Sequence, residues 1–185
     1  MKFLGHELNL RKRLCGWVYY KLAIRLPISH HLGFIGKFSR WLRNSCCRNI
    51  FAYCGKGVNI EKGACFGLGW NVRVGDNSGL GVNCVIPDGS VIGKDVMMGP
   101  NCYIHSRNHR FDNCDIPMRV QGYSEPKPCI IEDDVWIGRD VTIMVGRHIS
   151  KGTIIAANSV VTKDFPPYSV IGGNPAKLIK SRKLE

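Results

Sequence analysis

The chain has 185 residues, 44% of them hydrophobic, with nine cysteines and a net charge of +12. That length suffices for one fully cored domain plus an accessory segment, so no second catalytic domain is expected within it. The cysteines (15, 46, 47, 54, 65, 84, 102, 114 and 129) are odd in number and form no CxxC pair, so they read as reduced thiols rather than a secreted disulfide framework or a zinc site.

Residues 1–50 carry ten Lys/Arg against Glu7 alone, nine of the twelve net charges. The apolar stretch at 14–20 meets Lys21 and Arg25 too soon for a membrane span or a signal-peptide core, which makes a cytoplasmic protein the expectation. Two helices are predicted near 8–26 and 31–49, broken at Pro27. In the second, Phe34, Ile35, Phe38, Trp41 and Leu42 form one stripe, with Lys37, Arg40 and Arg43 off it. Two readings of this basic segment stand: a helical cap over the end of the domain that follows, and peripheral attachment to an anionic membrane surface. Nucleic acid is set aside, because no reader motif accompanies the charge.

From Gly55 the composition shifts to Gly, Val, Ile and Asn. Aliphatic residues then recur at every sixth position: Leu68, Val74, Leu80, Ile86, Ile92, Met98, Ile104, and, in a second phase, Ile131, Ile137, Ile143, Ile149, Ile155 and Val161. Ile60 and Phe66 are possible earlier guides, followed by a two-residue slip to Leu68. A period of six fits neither helix nor simple strand and is the signature of a parallel β-helix, three hexapeptides to a triangular coil. Four residues after each guide the side chain should point into a tight interior, and Val72, Ser78, Cys84, Ser90, Val96, Cys102, Val135, Val141, Thr153 and Ser159 are small. Cys84 and Cys102, one coil apart, should stack there as small hydrophobes. Arg147 breaks the pattern, by local distortion or because its side chain has its own exit and partner. Glycine after many guides (69, 75, 81, 93, 99, 138) suggests corners of unusual φ/ψ.

Residues 105–129 lack the register, contain three prolines and must leave the coil as an extended loop, a common place for function on a rigid scaffold. The end of the chain closes the coil and becomes a short basic tail, expected to be helical from Pro175. The division is therefore 1–54, a basic helical segment; 55–173, the β-helix with its ejected loop; and 174–185, the tail.

The hexapeptide register over about 58–180, with Asn108-His109-Arg110-Phe111-Asp112 in the loop, Trp136-Ile137-Gly138-Arg139, residues 155–164 (IAANSVVTKD), and Gly172-Gly173-Asn174-Pro175-Ala176-Lys177, resembles the hexapeptide-repeat acetyltransferases. The resemblance implies a mainly β fold, a left-handed parallel β-helix; the usual crossover rule favours the other hand. It implies acetyl-CoA as co-substrate, no metal, and a homotrimer with the site between subunits. His109 takes the place of the catalytic histidine, a general base for an acceptor hydroxyl with no acyl-enzyme. Trp136, Arg139, Ala157, Thr162 and Lys163 would line the coenzyme path, and Lys177 and Lys180 would meet its phosphates. The family's acceptor asparagine falls on Gly81, leaving Asn83 and Asp88 as acceptor-binding candidates that could equally be corner residues.

The expected function is O-acetylation of a sugar hydroxyl, on a surface-polysaccharide precursor at the inner face of the membrane. Rivals are a xenobiotic (chloramphenicol or streptogramin) acetyltransferase and a non-enzymatic membrane-binding β-helix scaffold. A zinc lyase resembling the γ-class carbonic anhydrases would need three converging histidines; His105, His109 and His148 do not follow the ligand pattern.

Overall fold

The structure is a computed structural model that describes the backbone of residues 2–3 and 6–7 and the whole of residues 10–30 and 33–183. Positions 8–9 and 31, where the predicted helices begin, and 184–185 of the tail lie outside the described residues.

The six-residue period becomes a left-handed parallel β-helix of about six turns. Each hexapeptide supplies a two-residue strand and a four-residue corner. The second residue of each strand points inward, so the guides fill the core: Ile92, Ile131, Ile137, Ile143, Ile149, Ile155 and Val161 are all buried. Burying such a side chain contributes about 2 kcal/mol. The small positions are buried too, from Val72 through Ser159.

Three faces result. The first stacks Tyr53–Cys54, Arg73–Val74, Val91–Ile92, Ile130–Ile131 and His148–Ile149. The second stacks Met97–Met98, Trp136–Ile137, Ile154–Ile155 and Ser169–Gly172, and the third Tyr103–Ile104, Thr142–Ile143 and Val160–Val161. Equivalent residues are 18 apart within the stack, 20 apart at its first step and 39 apart across the ejected loop. Coil register therefore survives the insertion: Val91 still pairs with Ile130.

Two expectations about the coil are corrected. The slip follows Phe66, which is the buried guide, and Leu68 lies in the two-residue insertion, half exposed. The glycines at 75, 81, 93, 99 and 138 are not in the left-handed region; a Cβ on Gly138 would sit 2.6 Å from the Ala157 nitrogen, so it is the close approach of the next coil that requires them. The left-handed corner conformation falls two residues later, on Asn77, Asn83, Asp95, Asn101, Asp134, Asp140 and Asn158, residue types whose short polar side chains tolerate it. Their side chains then bond coil to coil, as Asn83 to Asn101 and Asn101 to Asp140.

Helix α1 (Leu10–Lys21), a 3-10 turn (Ala23–Arg25) and helix α2 (Phe34–Ile50) pack on the first coil. Tyr19 is buried against Phe66 and donates to the Ala64 carbonyl at 2.7 Å. Arg43, fully buried, donates to Ile60 O (2.6 Å), Pro27 O (3.0 Å) and Ser29 Oγ (3.2 Å), and its guanidinium lies 3.5 Å from the Glu61 carboxylate. It thus ties α2 to both the segment that follows the turn and the coil. Burial lowers the Arg43 pKa; burial raises that of Glu61, but bonds from Ser29 and Asn59 and the Arg43 charge outweigh it and leave the carboxyl below its usual range. The apolar stripe read from α2 is not the face that covers the coil. Gly36, Ser39, Arg43, Cys46, Cys47 and Ile50 are buried, while of the stripe Phe34, Ile35, Phe38 and Trp41 are exposed and Leu42 alone packs against the core.

The tail is not helical. Lys177–Ser181 is a strand antiparallel to Ser169–Gly172, extending the second face where an open strand edge offered backbone partners.

Candidate active site

The loop leaves after Ile104, at the corner joining the third face to the first, and returns at Cys129. It is less extended than its sequence suggests. Ser124 N–H donates to Asn108 O (2.8 Å), Arg110 N–H to Gly122 O (3.0 Å) and Lys127 N–H to Ser106 O (2.8 Å), so the two arms pair as an antiparallel ribbon with His109 opposite Tyr123. Gln121 ties the tip, bonding Asn113 through both its carbonyl and its amide.

His109 is held by a ring contact. Its centroid lies 4.2 Å from that of Tyr123 with the planes 36° apart, and the Arg107 guanidinium lies 4.3 Å from the same Tyr123 ring. Among the described residues no side-chain hydrogen bond uses the His109 ring, so both nitrogens are open to a substrate. The ring borders a cleft of about 430 Å³ between the ribbon and the coil, lined also by Phe111, Glu125, Lys127, Val145 and Arg147.

Arg147 does have its own exit. Instead of entering the core it runs out along the corner, donates to Val145 O (3.2 Å) and Thr162 O (3.4 Å), and pairs with Asp164 at 3.4 Å. It joins two successive coils and forms the cleft wall opposite the ribbon. Cys129, at the loop's return, is buried and its thiol is pushed up to about 12 by that burial, which removes it as a nucleophile.

The structure distributes the sequence-predicted residues over two corners. Thr162 and Lys163 share the loop's corner, Thr162 bonded to Arg147 and Lys163 with its ammonium 5.4 Å from the Phe165 ring. Trp136 and Lys180 stand in one outward row of the second face, through the pairings Trp136–Ile154–Val170–Lys180, with Lys177 on the same edge strand. Arg139 and Ala157 occupy the next corner; Arg139 bonds Asp140 at 2.8 Å, and the Asn101 amide followed by Arg139 holds that carboxyl below its usual range. Asn83 belongs to this second corner and spends its amide on Asn101. Asp88 is at the loop's corner but accepts two bonds from Asn71 (3.0 and 2.7 Å). Neither lines the cleft.

The histidines do not converge. The His105 ring lies against Tyr103, and His148 bonds Glu132 at 2.8 Å on the first face. Among the described residues, no group of three His, Cys, Asp or Glu side chains could hold a metal ion. Tyr123 and Lys127 belong to the cleft, and Arg107 supports the Tyr123 ring, yet the sequence does not mark them, because ribbon pairing inside a loop leaves no period; Gly122, at positive φ beside the pairing, is a local cue.

The family model for the hexapeptide repeat of succinyl-transferase matches residues 71–106 and 128–163. A hexapeptide-repeat containing acetyltransferase from Vibrio cholerae superposes with a TM-score of 0.76 at 30% identity, covering 94% of this chain and 92% of that one; another structure of it holds acetyl coenzyme A. A maltose O-acetyltransferase from Clostridium difficile 630 gives 0.72 at 28% identity over 95% and 88%. Chloramphenicol acetyltransferase from Klebsiella aerogenes is 51% identical over 53 residues, 29% of this chain and 25% of the relative. The chain spans between 25% and 56% of the length of curated relatives such as these.

Proposed function

This chain belongs to the hexapeptide-repeat acetyltransferases, and from that membership we propose that it moves an acetyl group from acetyl-CoA to a sugar hydroxyl, with His109 as general base. The observation that carries the reading is the His109 ring, fixed by Tyr123 at the mouth of the cleft with both nitrogens open. Neutral imidazole takes the hydroxyl proton as the oxygen attacks the thioester carbonyl; the carbon–sulfur bond then breaks, and the proton returns to the departing thiolate. The products are the acetyl ester and free coenzyme A.

Trp136, Arg139, Ala157, Lys177 and Lys180 lie across the third face from His109. A single chain therefore splits its coenzyme candidates between two corners. A second copy, placing its Trp136 corner against the first copy's ribbon, would close the groove. Such a contact joins unlike surfaces and gives a finite assembly only when it closes into a ring, for which a trimer is our reading. The residues 1–54, 55–173 and 174–185 remain our proposed division of labour, with Asn83 and Asp88 as acceptor contacts only if the acceptor displaces their corner bonds.

The test is acceptor-dependent thiol release from acetyl-CoA across sugars, nucleotide sugars and chloramphenicol. His109→Ala should cost at least ~10²-fold in turnover. Retained turnover would remove His109 from the chemistry. The match to chloramphenicol acetyltransferase favours a second reading, a xenobiotic acceptor, and release with chloramphenicol alone would select it.

A further inference from the structure

We propose that the outer face of the N-terminal helix pair docks on an anionic lipid bilayer. On α1, Leu10, Leu14 and Trp17 follow i, i+4, i+7; on α2, Phe34, Phe38 and Trp41 do the same. All six are at least 45% exposed. At about 100° per residue, each stripe lies roughly 140–180° around its helix from the residue that anchors it, Tyr19 on α1 and Arg43 on α2. Both stripes therefore face away from the coil. Phe38 and Trp41 meet at 5.8 Å, forming one continuous aromatic surface rather than isolated exposed rings.

Charge selects the occupant. No acidic residue occurs between Glu7 and Glu61. Lys21 continues the α1 stripe one turn beyond Trp17, and Lys37 borders the α2 stripe, both exposed. Aromatic and aliphatic side chains with cations at their margins suit the boundary between acyl chains and anionic headgroups, where the rings enter and the ammonium groups stay outside. A second copy would bring the same positive surface against itself. The buried Arg43–Glu61 pair makes the platform rigid, so docking would orient the coil relative to the bilayer. This proposal is independent of the acetyl-transfer reading.

The experiment is co-sedimentation of the full chain with sucrose-loaded phosphatidylcholine vesicles, with and without phosphatidylglycerol. Binding should require the anionic lipid and weaken as salt is raised. Trp17→Ala with Trp41→Ala, and separately Lys21→Glu with Lys37→Glu, should each lower partitioning at least ~10-fold while leaving acetylation of a soluble acceptor unchanged. The charge-reversal variant touches no buried group, so its result stands even where the tryptophan variant folds poorly. Absence of vesicle binding, or binding that is indifferent to both lipid charge and both variants, would overturn the proposal. So would loss of self-association in the tryptophan variant with lipid binding intact, which would assign the surface to a second copy.

Discussion

The His109 ring rests on Tyr123 and bonds to no other described side chain, so its orientation depends on one stacking contact. Aromatic pairs contribute about 0.5–1.5 kcal/mol beyond burial, which sets the size of the effect. Tyr123→Ala should lower kcat on the order of 3- to 10-fold with KM for acetyl-CoA little changed, and Tyr123→Phe should stay near wild type. Steady-state kinetics would check this; a Phe variant as slow as the Ala variant would mean that the hydroxyl, not the ring, supports His109. Arg147 makes the complementary point. Its departure from the small-residue pattern is visible in the sequence, but its partners, Val145, Thr162 and Asp164, become neighbours only once successive coils are stacked.

Among elements, α2 depends most on a single ion pair. The Glu61 carboxyl is held below its unfolded value of about 4.3. Its contribution is therefore complete above that pH and is lost as pH falls through the lower folded value. Glu61→Gln should reduce the urea midpoint at about pH 6, and the gap to wild type should narrow as pH falls below the ordinary carboxylate range. A gap independent of pH would sink the ion-pair account. The sequence made α2 legible as a helix but not its orientation. Hydrophobic periodicity marks an apolar stripe, whereas the coil accepts the opposite face because Arg43 finds five oxygen partners there and Gly36 and Ser39 permit close approach. The tail misled for a similar reason: nothing in 177–181 forbids a helix, and it is the unpaired edge of Ser169–Gly172 that makes it a strand.

For the whole molecule, the coil could be read residue by residue because a β-helix repeats its own contacts, and each guide reports on the next. The two-residue slip after Phe66 was legible, but Leu68 passes for a guide because it supplies an aliphatic side chain at the right spacing from Val74, although it is half exposed. Assembly leaves a weaker trace. Met97, Trp136 and Tyr103 flank the second corner as exposed apolar side chains on the second and third faces. If that corner meets a neighbour's ribbon, Met97→Glu should convert a trimer to single chains and abolish acetyl transfer together. Light scattering of the variant would decide, and a fully active single chain would remove the inter-subunit site.

The reversed strand at Lys177–Ser181 also governs what the molecule cannot become. A stack of parallel coils is an open-ended polymer in miniature, since its last coil presents the same backbone groups that its first coil needed. Here one end is roofed by α1 and α2. At the other, residues 173–176 bond Val160 on the third face, and the second face ends in an antiparallel, bulged strand bearing Lys177 and Lys180. Irregularity and like charge at a terminal edge discourage strand addition, so growth by end-to-end stacking is blocked, and association is directed to the sides of the prism, where the cleft lies.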